Sequence, residues 1–241
     1  MTETRIGCAG WSISTRAAAP FPAQGSQLER YGAVLNAVEI NSSFYRPHQP
    51  QTYEKWAASV PDDFRFAVKL PKSITHERRL ADADDLLARF AGEAGALGPK
   101  LGCVLVQLPP SLKLDVALAQ DFFTRLRRRF ATMVALEARN PGWFDADATA
   151  LLKTHGVTRV IADPPAGQPG PHVPTTEAVY VRLHGSPKIY VSLYAEQQLR
   201  DVADTLAGRT PGSPGWCIFD NTMTGLQPHQ ALRLRALLAR E

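Results

Sequence analysis

The stretch Val179–Gly185 carries the residue types and the spacing best suited to chemistry. Its residues alternate between apolar and polar, so Tyr180, Arg182 and His184 share one side of a predicted strand. An unpaired charge inside a protein costs several kcal/mol of stability, so an arginine and a histidine on an inward side require acidic partners. Such partners do occur in the sequence, each at the end of another apolar run.

Polar or aromatic residues end each of eight predicted strands. From the first strand to the eighth they are Trp11, after Gly10; Glu39 and Asn41; Lys69; Gln107; Glu137 and Arg139; Asp163; Arg182 and His184; and Asp220 and Asn221. Where two of these residues are two positions apart, their side chains share one side of the strand and can point to the same interior. The candidate catalytic groups are Glu39, Glu137, Asp163, His184 and Asp220.

The elements that must position these residues form a regular alternation. Eight apolar runs of strand-like length start 20 to 39 residues apart: Arg5–Gly10, Ala37–Asn41, Phe64–Leu70, Cys103–Pro109, Met133–Arg139, Arg159–Asp163, Val179–Gly185 and Gly215–Asp220. Amphipathic helical patterns fill most of the gaps, namely Asp82–Ala94, Val116–Phe130, Ala146–His155, Ala195–Ala207 and Pro228–Arg240. Strands that alternate with helices indicate right-handed parallel units.

Eight such units predict an α/β fold, a TIM-barrel-like (β/α)8 barrel, in which active sites lie at the carboxyl ends of the strands. A doubly wound open sheet is the competing architecture, but the first strand-to-helix turn lacks the G-x-G-x-x-G pattern. The gap between Asp163 and Val179 is rich in proline and glycine, so one helix is expected to be missing between strands six and seven. Residues 1–241 are expected to form a single domain.

Composition narrows the class of protein. Hydrophobic residues make up 44% and charged residues 21%, as in an ordinary globular domain. No run of 18 apolar residues and no signal-peptide pattern is present, so we expect a cytoplasmic protein with no membrane partner. The three cysteines lack metal-ligand spacing and are expected to be buried thiols. The net charge of +4 is compatible with an anionic partner, nucleic acid included, and leaves the oligomeric state open.

Substrate-binding candidates lie at the same strand ends and in the loops that follow them. They are Trp11, Asn41, Tyr45, Lys69, His76, Gln107, Arg139, Trp143, Arg182, Tyr194 and Asn221. The cations among them would neutralise a phosphate, and the rings of Trp11 and Tyr45 would stack on a base or sugar. Trp143 has a second interpretation, as an apolar plug that packs over the barrel mouth. The predicted ligand is small and anionic or sugar-like.

Six runs of this sequence resemble the YecE-like family, also called domain of unknown function 72. They are Val38–Tyr45, Phe64–Lys69, Thr75–Leu80, Gln107–Pro110, Tyr180–Gly185 and Phe219–Thr222, and the resemblance extends in order from Ile6 to the last helix. It implies a TIM-barrel-like fold, similar in architecture to the xylose isomerase and endonuclease IV type of barrel. It implies no reaction, because the family has no assigned biochemical role.

The sequence departs from the family pattern in two places. The family has a second aromatic residue soon after the first Gly-Trp, whereas Trp11 is followed here by residues 12–16, Ser-Ile-Ser-Thr-Arg, without an aromatic residue. After the fifth strand the family reads Glu-Phe-Arg-His, and Asn140 stands here in place of that histidine. Without a histidine at this position, His184 and His76 are the main candidates for a side chain that gains or loses a proton near neutral pH.

The residues favour a hydrolase or lyase that acts on a phosphate-bearing substrate, such as a nucleotide, a sugar phosphate or a nucleic acid. Glu137 or Asp163 would act as the base and His184 as the acid. No cofactor is predicted. A divalent metal, Mn, Mg or Zn, is an alternative, and its ligands would be Glu137, Asp163, His184 and Asp220. Against it, nearby lysine and arginine would repel the ion.

Three further interpretations stay open from the sequence. A glycoside hydrolase would use Glu39 and Glu137 as its carboxylate pair. A non-catalytic nucleotide or nucleic-acid binding protein would depend on basic loop residues, chiefly Lys72, Arg78 and Arg79. In the third, Glu39, Arg139 and Arg182 form an ion network that only stabilises the fold.

Overall fold

The computed structural model describes residues 4–239 and arranges them around one sheet of nine parallel strands. The strands are β1 Arg5–Ala9, β2 Ala37–Ile40, β3 Arg65–Lys69, β4 Leu101–Gln107, β5 Met133–Glu137, β6 Val157–Arg159, β7 Ile161–Asp163, β8 Val179–Leu183 and β9 Gly215–Phe219. Their order in the sheet is β6-β5-β4-β3-β2-β1-β9-β8-β7. Strands that follow each other in the chain therefore lie side by side, as in a barrel.

A strand that is interrupted in its middle brings the barrel close to closure. Only Val160 separates β6 from β7, and β6 pairs with β5 while β7 pairs with β8. The Val160 amide donates a hydrogen bond to the Leu136 carbonyl at 2.9 Å, which holds the break against β5. The two pieces take the place of a sixth strand, so the predicted (β/α)8 class is confirmed. This strand starts at Val157, earlier than the predicted run that began at Arg159.

Helices occupy the connections as the amphipathic patterns predicted. They are α1 Gln27–Gly32, α2 Ser42–Tyr45, α3 Pro50–Ala58, α4 Asp84–Ala94, α5 Val116–Arg129, α6 Ala146–Thr154, α7 Glu196–Ala207 and α8 Gln227–Leu238. Residues 164–178 contain no helix, which confirms the predicted gap between strands six and seven. The predicted last helix ran to Arg240, which lies outside the described residues.

The interior of the barrel is filled below its mouth. Ala37, Ala67 and Ala135 face inward from one side, and Tyr180 and Trp216 face them from β8 and β9. The two large rings stack with their centroids 5.8 Å apart. Because small side chains lie opposite large ones, the barrel packs without a channel, and a ligand can enter only at the end where the strands finish.

A glycine shapes the chain where β8 leaves the barrel. Gly185 has a φ of +95°, and a Cβ atom there would lie 3.0 Å from the Ser192 carbonyl oxygen and 3.1 Å from that of Lys188. Its amide donates a hydrogen bond to the Tyr194 hydroxyl at 2.7 Å. Only glycine combines this conformation with this close approach, so the turn fixes the position of His184 directly before it.

Two predictions made from composition concern membrane-spanning helices and the state of the cysteines. Over residues 4–239, every helix is too short or too polar to cross a membrane. Cys8, Cys103 and Cys217 are buried and free, as expected. Burial raises the pKa of the Cys8 thiol to about 12, so this thiol stays protonated at neutral pH.

Candidate active site at the barrel mouth

The carboxyl ends of the strands bring most of the predicted site residues to one end of the barrel. In the sheet register Gln107 lies opposite Glu137, and Arg182 lies opposite Ala162, which packs inside the barrel. Hydrogen bonds or charge interactions connect eight of the predicted residues at this mouth: Glu39, Lys69, Gln107, Glu137, Arg139, Arg182, His184 and Asp220. The central expectation from the sequence, a polar cluster built from separate strands, is correct for these residues.

Arg182 is the centre of the cluster and is 0% exposed. Its Nε donates to Glu39 Oε2 at 3.0 Å and its Nη2 to Glu39 Oε1 at 2.6 Å, which makes a two-pronged pair with that carboxylate. Its Nη1 donates to Glu137 Oε2, and its Nη2 also reaches Asp220 Oδ2 at 3.2 Å. The Tyr180 hydroxyl donates to Glu39 at 2.8 Å. Arg182 was predicted to bind substrate, but a fully enclosed guanidinium cannot touch a ligand.

Glu137 is the carboxylate that joins this buried centre to the surface of the mouth. Besides Arg182, its oxygens accept hydrogen bonds from Gln107 Nε2 at 2.8 Å and from Arg139 Nε at 2.9 Å. Burial alone would raise the pKa of Glu137, but Arg182 and His184 outweigh burial and hold that pKa well below the usual range. Glu137 is therefore ionised and fully hydrogen-bonded, which makes it a poor proton acceptor.

His184 lies between two carboxylates. Its Nδ1 is 3.0 Å from Asp220 Oδ2, and its Nε2 is 3.2 Å from Glu137 Oε2. Burial opposes a charge on the ring, yet the hydrogen bonds with Asp220 and Glu137 prevail and raise the pKa of His184. With a carboxylate near each nitrogen, the surroundings favour the protonated ring, which can act as an acid.

Lys69 and His76 lie across the mouth on β3 and the turn that follows it. The Lys69 ammonium lies 4.1 Å from the centroid of the Phe44 ring. The His76 ring packs edge-on against Phe44, and its Nδ1 is 2.8 Å from the Thr75 hydroxyl. Partial burial, helped by the charges of Lys69 and Arg139, lowers the pKa of His76. His76 is therefore neutral at the pH where His184 is charged.

A small cavity of about 110 Å³ opens beside the ion cluster. Glu137, Arg139 and His184 form its polar wall, while Pro164 and Tyr190 close the other side. A water molecule takes up about 30 Å³ of liquid, so this space suits a group the size of a phosphate or carboxylate, or one end of a longer ligand.

Tyr190 belongs to this wall although the sequence did not single it out. Its φ of +66° is rare for a residue with a side chain. Its amide donates to the His184 carbonyl, its carbonyl accepts from the Met223 amide, and its ring lies edge-on to the imidazole with centroids 6.2 Å apart. Strain of this kind concentrates at functional sites, and only the folded loop reveals it.

A second hollow of about 300 Å³ lies at the ends of β1 and β2. Trp11 and Asn41 line it, and Trp11 packs edge-on against Trp56 at 5.0 Å. Tyr45 is 72% exposed and packs against Phe44. Contact of these residues with a ligand, and stacking on Trp11 or Tyr45 in particular, stay predictions.

Comparison with known proteins identifies the family of this chain. The family described as "Protein of unknown function DUF72" matches residues 5–241. The chain belongs to the DUF72 family. The UPF0759 protein YecE of Escherichia coli (strain K12) is 30% identical over 173 residues, which are 69% of this chain but only 62% of that relative. The UPF0759 protein YunF of Bacillus subtilis (strain 168) is 29% identical over 203 residues, 76% of this chain and 70% of the relative.

Solved structures of DUF72 family proteins have the same fold. One from Enterococcus faecalis V583 superposes with a TM-score of 0.83 at 20% identity and covers 98% of this chain and 96% of its own. Another, from Thermotoga maritima MSB8, has a TM-score of 0.81 at 24% identity and covers 98% and 100%. These comparisons establish family and fold, and they assign no biochemical role.

One family position that differs in this DUF72 chain has a local explanation. Asn140, which the resemblance to the family marked as a departure from its pattern, accepts a hydrogen bond from the Gly142 amide at 3.2 Å and donates one to the Pro110 carbonyl at 2.8 Å. Its side chain therefore fixes the turn after β5. A proton-transfer role has no support at this position.

Asp163 was predicted to be a catalytic residue, and its position in the structure contradicts that prediction. In the sheet register Ala162 pairs with Arg182, which faces inward, whereas Asp163 pairs with Leu183, which faces outward. Its carbonyl accepts a hydrogen bond from the Tyr194 hydroxyl at 3.1 Å, and its Oδ2 is buried without a partner among the described residues. The carboxylate thus lies on the outer side of the strand, away from the ion cluster.

Three residues predicted to bind substrate instead hold the mouth together. Trp143 is 1% exposed, its Nε1 donates to the Leu112 carbonyl at 3.0 Å, and its ring packs edge-on against Phe123 of α5, so its role is packing of the loop after β5. Tyr194 is buried and bridges Gly185 and Asp163 through its hydroxyl. Asn221 is buried, and its Nδ2 donates to the Ser192 carbonyl at 2.9 Å.

Replacing Trp143 with phenylalanine tests this structural role. We expect the free energy of unfolding to fall by about 1–2 kcal/mol, because the Leu112 carbonyl loses its donor in a buried position. Urea denaturation followed by circular dichroism measures the loss. Affinity for inorganic phosphate, measured by calorimetry, should not change; a weaker affinity at full stability would return Trp143 to the ligand-binding set.

The predicted metal site does not fit this DUF72 chain. Within residues 4–239, no group of three or more His, Cys, Asp or Glu side chains is arranged to hold a metal ion. Of the four proposed ligands, Asp163 faces away from the others. Glu137, His184 and Asp220 already surround the Arg182 guanidinium, which would repel a divalent cation.

Proposed function

We propose that this protein is an enzyme, a hydrolase or lyase, that acts on a small phosphate-bearing substrate at the mouth of the barrel. One observation carries the proposal. The buried carboxylates of the mouth are already paired, while the Lys69 ammonium has no hydrogen bond or ion pair with any residue from 4 to 239. The half-buried Arg139 engages Glu137 and also lines the small cavity. Both cations can therefore serve an anionic ligand.

The charge count at the mouth supports an anion. Three carboxylates, Glu39, Glu137 and Asp220, face the cations Arg139, Arg182 and Lys69 and the protonated form of His184, which the raised pKa of that ring favours. With Lys69 protonated, one positive charge remains in excess in a small space walled by low-dielectric groups. An anionic group that entered would compensate this charge, and the attraction is stronger there than in water.

Two histidines with opposite pKa shifts provide the acid and the base. The pKa of His184 is raised, so it can donate a proton, whereas the pKa of His76 is lowered, so its neutral ring can accept one. Groups whose environments push their pKa values apart are the natural acid–base pair of a site. In this assignment His76 replaces Glu137 and Asp163, the bases that the sequence suggested.

The other interpretations have less support. A glycosidase needs one carboxylic acid with a raised pKa, but Glu137 has a lowered pKa and Glu39 is tied at both oxygens to Arg182. The loop cations of the nucleic-acid interpretation are occupied as well. Lys72 pairs with Glu77 at 3.2 Å, Arg78 pairs with Asp85 at 3.6 Å, and Arg79 donates to the Ser111 hydroxyl at 3.0 Å.

Replacing Arg139 with alanine tests the proposed function. Hydrogen bonds to charged groups contribute about 1.5–3 kcal/mol, so affinity for inorganic phosphate or ethyl phosphate should fall roughly 10- to 100-fold. Titration calorimetry measures the affinity. The fold should survive, because Arg139 is half-buried and Glu137 keeps Arg182, His184 and Gln107 as partners.

Arg125→Ala is the matched control for charge. Arg125 lies on α5, outside the barrel, where it pairs with Asp121 at 2.7 Å. Its removal should leave phosphate affinity unchanged. Equal affinity in the Arg139 variant and the unmodified protein would refute the binding assignment. Tight phosphate binding with no turnover across a set of nucleotides and sugar phosphates would instead support a non-catalytic binding protein.

A further inference from the structure

Lys69 is the one lysine whose position calls for a chemical explanation. It is the last residue of β3, it is only 8% exposed, and the described residues offer its ammonium neither a hydrogen bond nor an ion pair. The Phe44 ring covers one side of it. The carboxylates that could pair with it, Glu39 and Glu137, are held by Arg182. A buried cation left in this state costs stability.

The surroundings of Lys69 lower its pKa and so increase the fraction of neutral amine at neutral pH. Burial and the nearby Arg182 charge lower the pKa of Lys69 to about 8, although Glu39, Glu137 and Asp220 oppose the shift. At pH 7 such a lysine carries roughly 10% free amine, against well under 0.1% for a lysine of ordinary pKa near 10.4. Burial in an apolar pocket beside a second cation is a known way to make a lysine nucleophilic.

We propose that Lys69 forms a Schiff base with the carbonyl carbon of the substrate. The proposal rests on the proposed function and narrows it to an aldehyde or ketone that also bears a phosphate group. It also selects between the two reaction classes, because an iminium ion promotes the breaking of a carbon–carbon bond. The protein would then be a lyase.

The step balances without any oxidant or reductant. The Nζ lone pair adds to the carbonyl carbon, the carbonyl oxygen takes a proton from His184, and the added amine gives up a proton to His76. A second proton transfer to the hydroxyl group releases it as water, and the C=N bond of the iminium forms. The iminium then accepts the electron pair of the bond between its α and β carbons, while a hydroxyl on the β carbon loses its proton and becomes a carbonyl. The enamine that results takes a proton on its α carbon, in place of the one lost by the β hydroxyl, and becomes an iminium again. Water then hydrolyses this iminium, releases the second product as a carbonyl compound and frees Lys69.

Two other lysines, Lys100 and Lys72, have partners that explain their positions. Lys100 donates to the Ala57 carbonyl at 2.9 Å and to the Val60 carbonyl at 2.7 Å. Lys72 lies three positions after Lys69 but is half-exposed and pairs with Glu77 at 3.2 Å. Lys72 is therefore a control within the same loop.

The experiment traps the imine in the full-length protein. Glycolaldehyde phosphate, a small aldehyde that bears a phosphate, is added at pH 7 with sodium cyanoborohydride, and the modified lysines are located by peptide mass spectrometry. We expect Lys69 to be labelled at least about ten-fold faster than Lys72, since roughly 10% of its amine is free. The Lys69→Met variant should lose the fast phase and keep the slow labelling elsewhere.

Two probes separate this inference from the proposed function. Glycolaldehyde lacks the phosphate, and ethyl phosphate lacks the carbonyl. Fast Lys69 labelling that ethyl phosphate suppresses supports both. Fast labelling by glycolaldehyde alone, with no effect of ethyl phosphate, supports the Schiff base and counts against phosphate binding. If ethyl phosphate binds in calorimetry but Lys69 reacts no faster than Lys72, the Schiff base is wrong and the proposed function stands.

Discussion

Replacement of Arg182 with methionine is expected to lower the free energy of unfolding by about 3–5 kcal/mol. The guanidinium donates to Glu39, Glu137 and Asp220 from a position without solvent. Methionine fills much of the same volume but leaves two buried carboxylates without their main partner, and an uncompensated buried charge is the costliest change a core can receive. Urea denaturation followed by circular dichroism at pH 7 measures the loss.

The pH dependence identifies the cause of that loss. Arg182 holds the pKa of Glu137 well below its unfolded value, so the stabilisation is present at neutral pH and is lost as the pH falls through the lowered pKa. In the variant, protonation of the carboxylates relieves the unpaired charge. The difference between the two proteins should therefore shrink on acidification. A difference that stays constant would point to packing instead of charge.

Arg139→Ala is the matched control for stability. It removes another arginine from the same Glu137 carboxylate, but at a half-buried position whose pair is screened by solvent. Its stability cost should stay below about 1 kcal/mol. If Arg182→Met cost no more than this, water would have to solvate the interior of the mouth, and the buried cluster would not be the element that holds β2, β5, β8 and β9 together.

The polar cluster could be predicted because strand periodicity fixes direction. In Val179–Gly185 every second residue is apolar, so the other residues must share a side, and Arg182 with His184 can only be tolerated where carboxylates meet them. Glu39 and Glu137 occupy the corresponding ends of β2 and β5. Burial cost and alternation together predicted that these side chains converge at one end of the barrel.

For Asp163, the alternation of polar and apolar residues predicted the wrong side of the strand. Strand six has polar residues at Arg159 and Asp163, which share a side, and only small or apolar residues on the other side. The rule that polar strand ends point into the mouth chose the wrong side, because Arg159 is also buried, outside the barrel, where it donates to the Trp143 carbonyl at 3.0 Å. Thr158 and Arg159 lie on opposite sides of this strand and are both buried, so alternation does not identify the inner side.

Loop residues were harder to predict for a different reason. Trp143, Tyr194 and Asn221 have polar atoms that satisfy backbone groups far away in the sequence, and such partners exist only after folding. Tyr190 was missed because its importance lies in a backbone angle, which its residue type does not show. Residue type predicted which groups could do chemistry at the mouth, and the loops decided which of them are accessible.

Replacement of Lys69 with methionine is expected to raise the free energy of unfolding at pH 7 by up to about 3 kcal/mol, while the fast imine trapping disappears. The amine has a pKa of about 8 in the folded protein against a usual value of 10.5, and each pKa unit corresponds to about 1.4 kcal/mol. Methionine has a similar length, carries no charge and can pack against Phe44. Urea denaturation at a series of pH values measures the gain.

The sign of the pH dependence follows from proton binding. Between pH 8 and 10.5 the unfolded chain holds a proton on Lys69 that the folded protein has released, so the stability of the unmodified protein rises with pH in that range. The cost of the buried ammonium is present in full below pH 8 and disappears above the unfolded pKa. The free energy of unfolding of Lys69→Met should therefore exceed that of the unmodified protein most near neutral pH and only slightly near pH 10. Lys72→Met, at a half-exposed position, should change stability by less than about 0.5 kcal/mol at either pH.

A gain or a loss of stability in Lys69→Met decides whether Lys69 is a structural or a functional residue. If the ammonium were needed to offset Glu39 and Glu137, its removal would destabilise the fold, as removal of Arg182 does. The hydrogen bonds indicate that Arg182 already satisfies those carboxylates. In that case the buried ammonium of Lys69 lowers the stability of the fold, and its removal raises the free energy of unfolding. A charge that lowers stability and whose loss abolishes reaction with a carbonyl compound is placed for chemistry. Destabilisation by 1 kcal/mol or more would assign Lys69 to the structural network and remove the nucleophile from the proposed mechanism.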